Sequence, residues 1–303
     1  MAKQINKYIY TFVSVFLFGL FGLLTRLIVD YFPTFSLIAI REGTVFLLVL
    51  FLTIVGVVRW RKIDPSNRLS LLLLGLISLT TNISLFFAFK YLQIGMASFL
   101  TFTSSILFSW VFGIFILKEK LTKVKVIALI LVLIGIMTMF NIGDGGLNLW
   151  GIVGGIIAGL TISMYGFVVL RVPNQYDPLQ IYMLTALVTS STCLLISLIS
   201  REQIPQLATD IAWGLMLVFS VVVLLGNAIY ILALKKGAEL SIVSIINPLQ
   251  APITALTGVL FLQELPTVNM IWGGLIILVA GILPSVYEAV VKKRDRNHQL
   301  ITI

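Results

Sequence analysis

Ten stretches of the chain are apolar over about 20 residues each, the length a helix needs to cross a bilayer's hydrocarbon. They lie near 8–29, 36–58, 69–89, 96–117, 124–140, 149–170, 179–199, 211–234, 240–262 and 269–289. These runs of Leu, Ile, Val and Phe are about twice as long as barrel strands and lack their alternation, so helices are the way to satisfy the backbone in lipid. A soluble domain carries about a quarter of its residues charged. Here 11% are charged and 59% hydrophobic, which makes the lipid bilayer the expected solvent. The connections average roughly eight residues, too short for an extramembrane domain. The expected fold is an all-α polytopic membrane protein with ten transmembrane helices. The first stretch follows Lys3 and Lys7 as a signal peptide would. Its length and the lack of a small-residue cleavage site predict a retained helix.

The formal charge of +9 reads as topology. With the amino terminus in the cytoplasm, 17 of the 21 Lys and Arg face inward: Lys3 and Lys7, the Arg59–Arg68 and Lys118–Lys125 loops, Arg171, Lys235, Lys236 and the Lys292–Arg296 tail. Only Lys90 and Arg201 fall in outer loops, and the reversed topology would break the positive-inside rule. Both termini are expected to be cytoplasmic, in a protein of the cytoplasmic membrane. No nucleic-acid partner is expected. Cys193 is the single cysteine and His298 the single histidine, so no disulfide, metal centre or other cofactor is predicted.

Shifted by 145 residues, the chain aligns with itself without a gap. Arg26 falls on Arg171, Pro33 on Pro178, Asn82 on Asn227, Ala88 on Ala233, Lys90 on Lys235, Gly113 on Gly258, Glu119 on Glu264 and Thr122 on Thr267. Two halves follow, 8–140 and 149–289, with a basic tail over 290–303. Each half holds five spans, and an odd number inverts the second half relative to the first. Inverted repeats related by an axis in the membrane plane recur in secondary transporters, because the same unit can close the pathway at either face.

The paired segments Ala88-Phe-Lys-Tyr-Leu to Glu119-Lys-Leu-Thr122 and Ala233-Leu-Lys-Lys-Gly to Glu264-Leu-Pro-Thr267 resemble the ending of an EamA-type domain. The sequence is thus similar to the ten-helix group of the drug/metabolite transporter superfamily. Arg41 resembles the arginine often found in the second helix of such proteins, whereas Phe18-Gly19 stands where Trp-Gly is common. The resemblance implies export of a small metabolite across the cytoplasmic membrane. It also implies a pocket using the first, fourth and sixth helices, which makes Phe18, Trp110 and Tyr165 candidates for its wall.

Other candidate residues follow from the cost of polar groups in lipid. Arg41 and Glu42 lie about 9 Å inside the outer end of the second span, in the outer half of the hydrocarbon. Two readings stand: Arg41 snorkels outward with Glu42 neutralising it, or the pair lines the pathway, Arg41 for a carboxylate and Glu42 for an ammonium or a coupling proton. Their repeat mates are Ala186 and Leu187, so the fold does not demand the pair twice. Asn82 and Asn227 are mates at mid-membrane, with Tyr230 one turn on, and either line a cavity or bond between helices. In the ninth span Asn247, Gln250, Thr254 and Thr257 share a face beside Pro248 and Pro252, which predict a broken helix with freed carbonyls. Arg26, with Asp30 one turn later, reads as a packing, lipid or gate residue. Glu119 and Glu264 read as loop-facing. Gly151, Gly155 and Gly159 form a small-residue stripe for packing within the bundle or between the protomers of a homodimer.

The expected function is secondary transport of a small amino-acid-like or amphipathic metabolite, outward by alternating access. The alternative is an importer or facilitator of a cationic or sugar-like metabolite. An intramembrane enzyme is disfavoured, since no nucleophile has a base partner.

Overall fold

The computed structural model describes residues 2–117, 123–139, 148–202, 210–236, 246–269, 271–276, 278–280, 283 and 287. The regular structure of the described residues is all helix, without a strand: α1 (Ala2–Gly19), α2 (Phe21–Ile28), α3 (Thr34–Ile54), α4 (Arg68–Tyr91), α5 (Ile94–Leu117), α6 (Lys123–Met139), α7 (Leu149–Val169), α8 (Pro178–Ile199), α9 (Asp210–Lys235) and α10 (Gln250–Leu262). Among them, six stretches are long and apolar enough to cross a membrane: Ile9–Ile28, Thr34–Ile54, Pro65–Tyr91, Leu149–Val169, Pro178–Ile199 and Asp210–Lys235. Shorter apolar helices include Gln250–Leu262 and Ile271–Ala280. The start of the predicted ninth span (240–245), Glu119 and the tail lie outside the described residues.

Helix ends obey local chemistry. The Asn148 side chain accepts from Trp150 N and Gly151 N to start α7, and Asp177 accepts from Leu179 N to start α8, with Pro178 at a position that needs no donor. α3 ends in a left-handed turn at Gly56 (φ +82°), where Gly56 N donates to Thr53 O and Val57 N to Leu52 O. The repeat mate of Gly56 is Arg201, which ends α8 the same way: Arg201 N donates to Leu198 O and Glu202 N to Ser197 O. This is the paired-bond C-cap that glycine normally serves, yet Arg201 adopts φ +51° with a side chain. Arg201→Gly is therefore expected to stabilise the protein by about 0.5–1 kcal/mol, read as a raised unfolding midpoint in detergent.

The packing respects the repeat. α3 lies against α8 and α5 against α10, each pair being counterparts. The α4–α7 contact is matched by α9–α1, and α4–α8 by α9–α3. Equivalent residues sit at opposite ends of the bundle. At one end Arg26 donates to the carbonyls of Lys90 and Leu92. At the other end of α4, Asn67 reaches the Tyr176 hydroxyl, and Lys235, the mate of Lys90, donates to the carbonyls of Pro173 and Tyr176.

Two expectations change in the structure, and one open alternative is decided. The first span is not one continuous helix, since α1 stops at Gly19 and α2 begins at Phe21. There α10 crosses so closely that Thr254 Oγ1 donates to Gly19 O, and a Cβ on Gly19 would sit 2.5 Å from Ile253. Glu264 is not loop-facing, and Arg26 serves the packing role expected of it. Glu264 accepts from Arg26 Nη2 at 3.3 Å and from the Ile94 amide at 3.0 Å, capping α5 and joining the halves. The orphan amides at the start of α5 and a nearby guanidinium outweigh hydration of the carboxylate. The glycine stripe is used inside the bundle: Gly151 meets Tyr91 and Leu92, Gly155 meets Leu100, and Gly159 meets Thr101, Ser104 and Ser105.

Candidate binding cavity

Arg41 and Glu42 follow each other two turns into α3, and both side chains are 0% exposed. Arg41 therefore does not snorkel. Its Nη2 donates to Glu42 Oε1 at 2.6 Å and also to Asn82 Oδ1. The guanidinium carbon lies 5.0 Å from the ring centre of Phe21, 5.5 Å from Phe86 and 4.8 Å from Phe219. The cation is thus held by one carboxylate, one amide and three ring faces from α2, α4 and α9, while Nε and Nη1 have no hydrogen-bond partner. Glu42 in turn accepts from the Tyr182 hydroxyl, 3.2 Å to Oε2. Burying two charges is tolerated where each is paired and further hydrogen-bonded, as both are here.

Beside the pair lies a cavity of about 140 Å³ at the centre of the bundle, close to the roughly 150 Å³ that admits benzene in an engineered core. Both halves build it. α4 supplies Ser78, Thr81, Asn82 and Phe89, and α5 supplies Ser98, Thr101 and Phe102. From the second half come Tyr165 on α7, Tyr182 on α8, Asn227 and Tyr230 on α9, and Asn247, Gln250 and Thr254 at the start of α10. Phe18 and Phe21 close it from α1 and α2. Among the described residues the lining is aromatic rings, amides and hydroxyls with a few aliphatic side chains, and no formally charged side chain. Three of its polar atoms make no hydrogen bond of normal geometry: Thr101 Oγ1, the Tyr165 hydroxyl and Asn247 Oδ1. Buried polar groups without partners are uncommon in folded proteins, and these three are ones that a polar ligand in the cavity could satisfy.

Eight residues singled out from the sequence meet at this cavity: Phe18, Asn82, Tyr165, Asn227, Tyr230, Asn247, Gln250 and Thr254. Arg41 and Glu42 do not line it. They lie behind its wall and touch it through Asn82 and Tyr182. The side chain of Trp110, on α5, lies outside the described residues. Asn82 both lines the cavity and bonds between helices, so the two readings of that residue hold together. Asn227 donates within its own helix to Val223 O at 3.0 Å. The predicted break in the ninth span falls at the 3-10 turn Asn247–Leu249. Pro252 sits within the first turn of α10, where a missing amide costs little. Thr257 donates to Thr254 O and stands outside the cavity. In the fourth predicted span, Ser105 and Ser109 bond Ser163 on α7 as packing groups, whereas Thr101 joins the wall.

Sequence reasoning missed Tyr182 and the ring cage of Phe21, Phe86 and Phe219. A buried acid needs donors beyond its partner, and Tyr182, one turn into the seventh span, was a phenol within reach of that requirement.

Comparison with known proteins agrees with this architecture. A solved structure titled "Crystal structure of protein" superposes with a TM-score of 0.64 at 16% identity, covering 94% of this chain and 98% of that one; at that identity the likeness concerns the fold. No curated protein matches the chain. The model of the EamA-like transporter family matches twice, over residues 6–141 and 149–286. A two-fold match across nearly the whole chain, on a bundle whose halves pack as counterparts, leaves one conclusion: the chain belongs to the EamA-like transporter family, and is a multi-pass membrane transporter.

Proposed function

We propose that the protein is a secondary transporter that moves a small, net-neutral amphipathic metabolite of the amino-acid type by alternating access. Ten spans form two halves, 8–140 and 149–289, of opposite orientation, with both termini and the basic tail 290–303 in the cytoplasm. The inverted arrangement is supported by equivalent residues, such as Lys90 and Lys235, lying at opposite ends of the bundle. The positive-inside count supports the orientation and the cytoplasmic membrane. Export is favoured by the family resemblance.

The observation that carries the substrate class is the cavity between the halves. Its rings suit an apolar side chain, and its amides and hydroxyls suit a compact polar head. A strongly charged ligand would find no opposite charge among the described wall residues, and Arg41 and Glu42 neutralise each other behind them. A zwitterion brings its own balance.

The test is counterflow of labelled L-leucine into proteoliposomes holding the purified protein. Saturable counterflow is expected. Gln250→Leu is expected to lower kcat/KM by about tenfold, the scale of one lost polar contact to a charged group. Saturable exchange of a quaternary amine or a sugar, with none for leucine or other neutral amino acids, would overturn the substrate class in favour of the cationic or sugar-like alternative. An absence of exchange for every class would overturn the transporter reading of the cavity.

A further inference from the structure

We propose that the buried Arg41–Glu42 pair, which stands behind the cavity lining, sets the donor and acceptor polarity of the cavity wall by fixing Asn82 as a donor and Tyr182 as an acceptor. The proposal rests on the cavity being the substrate site.

The polarity follows from what each partner can do. A guanidinium only donates, so the Asn82 atom facing Arg41 is the amide oxygen, which turns toward the cation and leaves the amide nitrogen on the cavity side. The Asn82 nitrogen donates to Ser78 O at 2.9 Å and reaches Ser78 Oγ at 3.4 Å, a long contact that a ligand acceptor can displace. Its other N–H is what this wall residue can offer a ligand. An ionised carboxylate only accepts, so the Tyr182 hydroxyl spends its single hydrogen on Glu42, at 3.2 Å and 3.4 Å from the two oxygens. What Tyr182 can offer a ligand is a lone pair. One wall residue therefore presents a donor and another an acceptor, held in those roles by opposite charges of one ion pair. The complementary ligand head carries an acceptor and a donor close together, as a carboxylate beside an ammonium does.

The pair also has a reason to exist that packing does not supply. The second half builds the equivalent turn of α8 with Ala186 and Leu187, and both α3 and α8 fold and pack against each other. In this reading Arg41 and Glu42 are positioning residues that act through Asn82 and Tyr182.

The decisive variant is the double substitution Arg41→Met/Glu42→Leu, which removes both charges together and leaves neither stranded. Its fold is checked by cooperative unfolding within about 5 °C of the parent. The probes are labelled L-leucine and its two half-molecules, 3-methylbutylamine without the carboxylate and 4-methylpentanoate without the ammonium, used as competitors of leucine counterflow. The parent is expected to favour leucine over each half-molecule by about tenfold or more. The double variant is expected to bring both ratios to within about twofold. In Arg41→Met/Glu42→Gln the glutamine oxygen still accepts from Tyr182. Preference over 4-methylpentanoate, which reads the ammonium, is therefore expected to return while preference over 3-methylbutylamine does not. A merely structural pair would move both ratios together or neither. Retention of both preferences in the folded Arg41→Met/Glu42→Leu variant overturns the proposal.

A readout free of substrate separates this inference from the transport reading. With tyrosine labelled at the ring carbon bearing the hydroxyl, the Tyr182 resonance is assigned by its loss in Tyr182→Phe. It is expected to move in Arg41→Met/Glu42→Leu as the hydroxyl loses its carboxylate, and to move back toward the parent in Arg41→Met/Glu42→Gln. If leucine proves not to be a substrate, the substrate class fails, and this resonance decides the polarity proposal alone: movement upholds it, and an unchanged line overturns it.

Discussion

Arg41→Met alone is expected to destabilise the protein by about 3–5 kcal/mol, and the added Glu42→Leu is expected to restore most of that loss. Removing the guanidinium strands a carboxylate that is 0% exposed, with only the Tyr182 hydroxyl left to stabilise it. Glu42→Leu alone strands the opposite charge. Its cation keeps the Asn82 oxygen and three phenyl faces, so its loss is expected to be smaller than that of Arg41→Met. The double variant has no buried charge to leave unpaired, and replacing buried ion pairs by apolar side chains of similar volume is often close to neutral. Unfolding of the four proteins in one detergent closes the cycle. Single losses that simply add in the double variant would show that the two side chains are not energetically coupled.

The second large effect is expected at Gly159. A Cβ there would collide with the Thr101 carbonyl oxygen, and would lie 2.5 Å from Ser104 Cβ and 2.6 Å from the Ser105 amide. Two of these atoms belong to backbone and cannot rotate away, so α7 and α5 must separate. Gly159→Leu is expected to cost about 3 kcal/mol or more, at the upper end of overpacking losses. It is also expected to weaken ligand binding, because Thr101 lines the cavity and the Ser163 contact to Ser105 O, at 2.6 Å, lies one turn away. Gly214 is the control, since a Cβ at that helical position meets nothing within 4 Å. Gly214→Ala is expected to raise stability by up to about 1 kcal/mol through helix propensity alone. Paired melting curves check both, and equal losses at the two glycines would refute the close-approach argument.

The membrane class, the helical state and the approximate positions of the six long apolar helices were readable because they depend on short-range properties. A run of Leu, Ile, Val and Phe about 20 residues long reports on its own neighbourhood, whatever it later packs against. The repeat was readable for a related reason, since residues such as Asn82 and Asn227 keep identity at a fixed separation even where apolar neighbours drift. Several cavity residues were legible because amides and phenols are costly in lipid and must turn inward, which a hydropathy reading registers as exceptions.

Other features depended on contacts that no local pattern encodes. Glu264 follows a span and reads as a loop residue until Arg26, 238 positions earlier, and the open amide of Ile94 are brought beside it. Gly19 reads as an ordinary mid-helix residue until Thr254 takes its carbonyl. The sequence by itself determined that Arg41 and Glu42 lie in the hydrocarbon and that leaving either charge unpaired would be costly. Only the tertiary structure decided that the cost is met by each other, by Asn82 and Tyr182, and by a ring cage drawn from three helices, with the cavity on the far side of the wall. The physical reason is one of range: the penalty for a buried charge is a property of its depth, whereas the groups that relieve it are chosen by which distant helices pack around it.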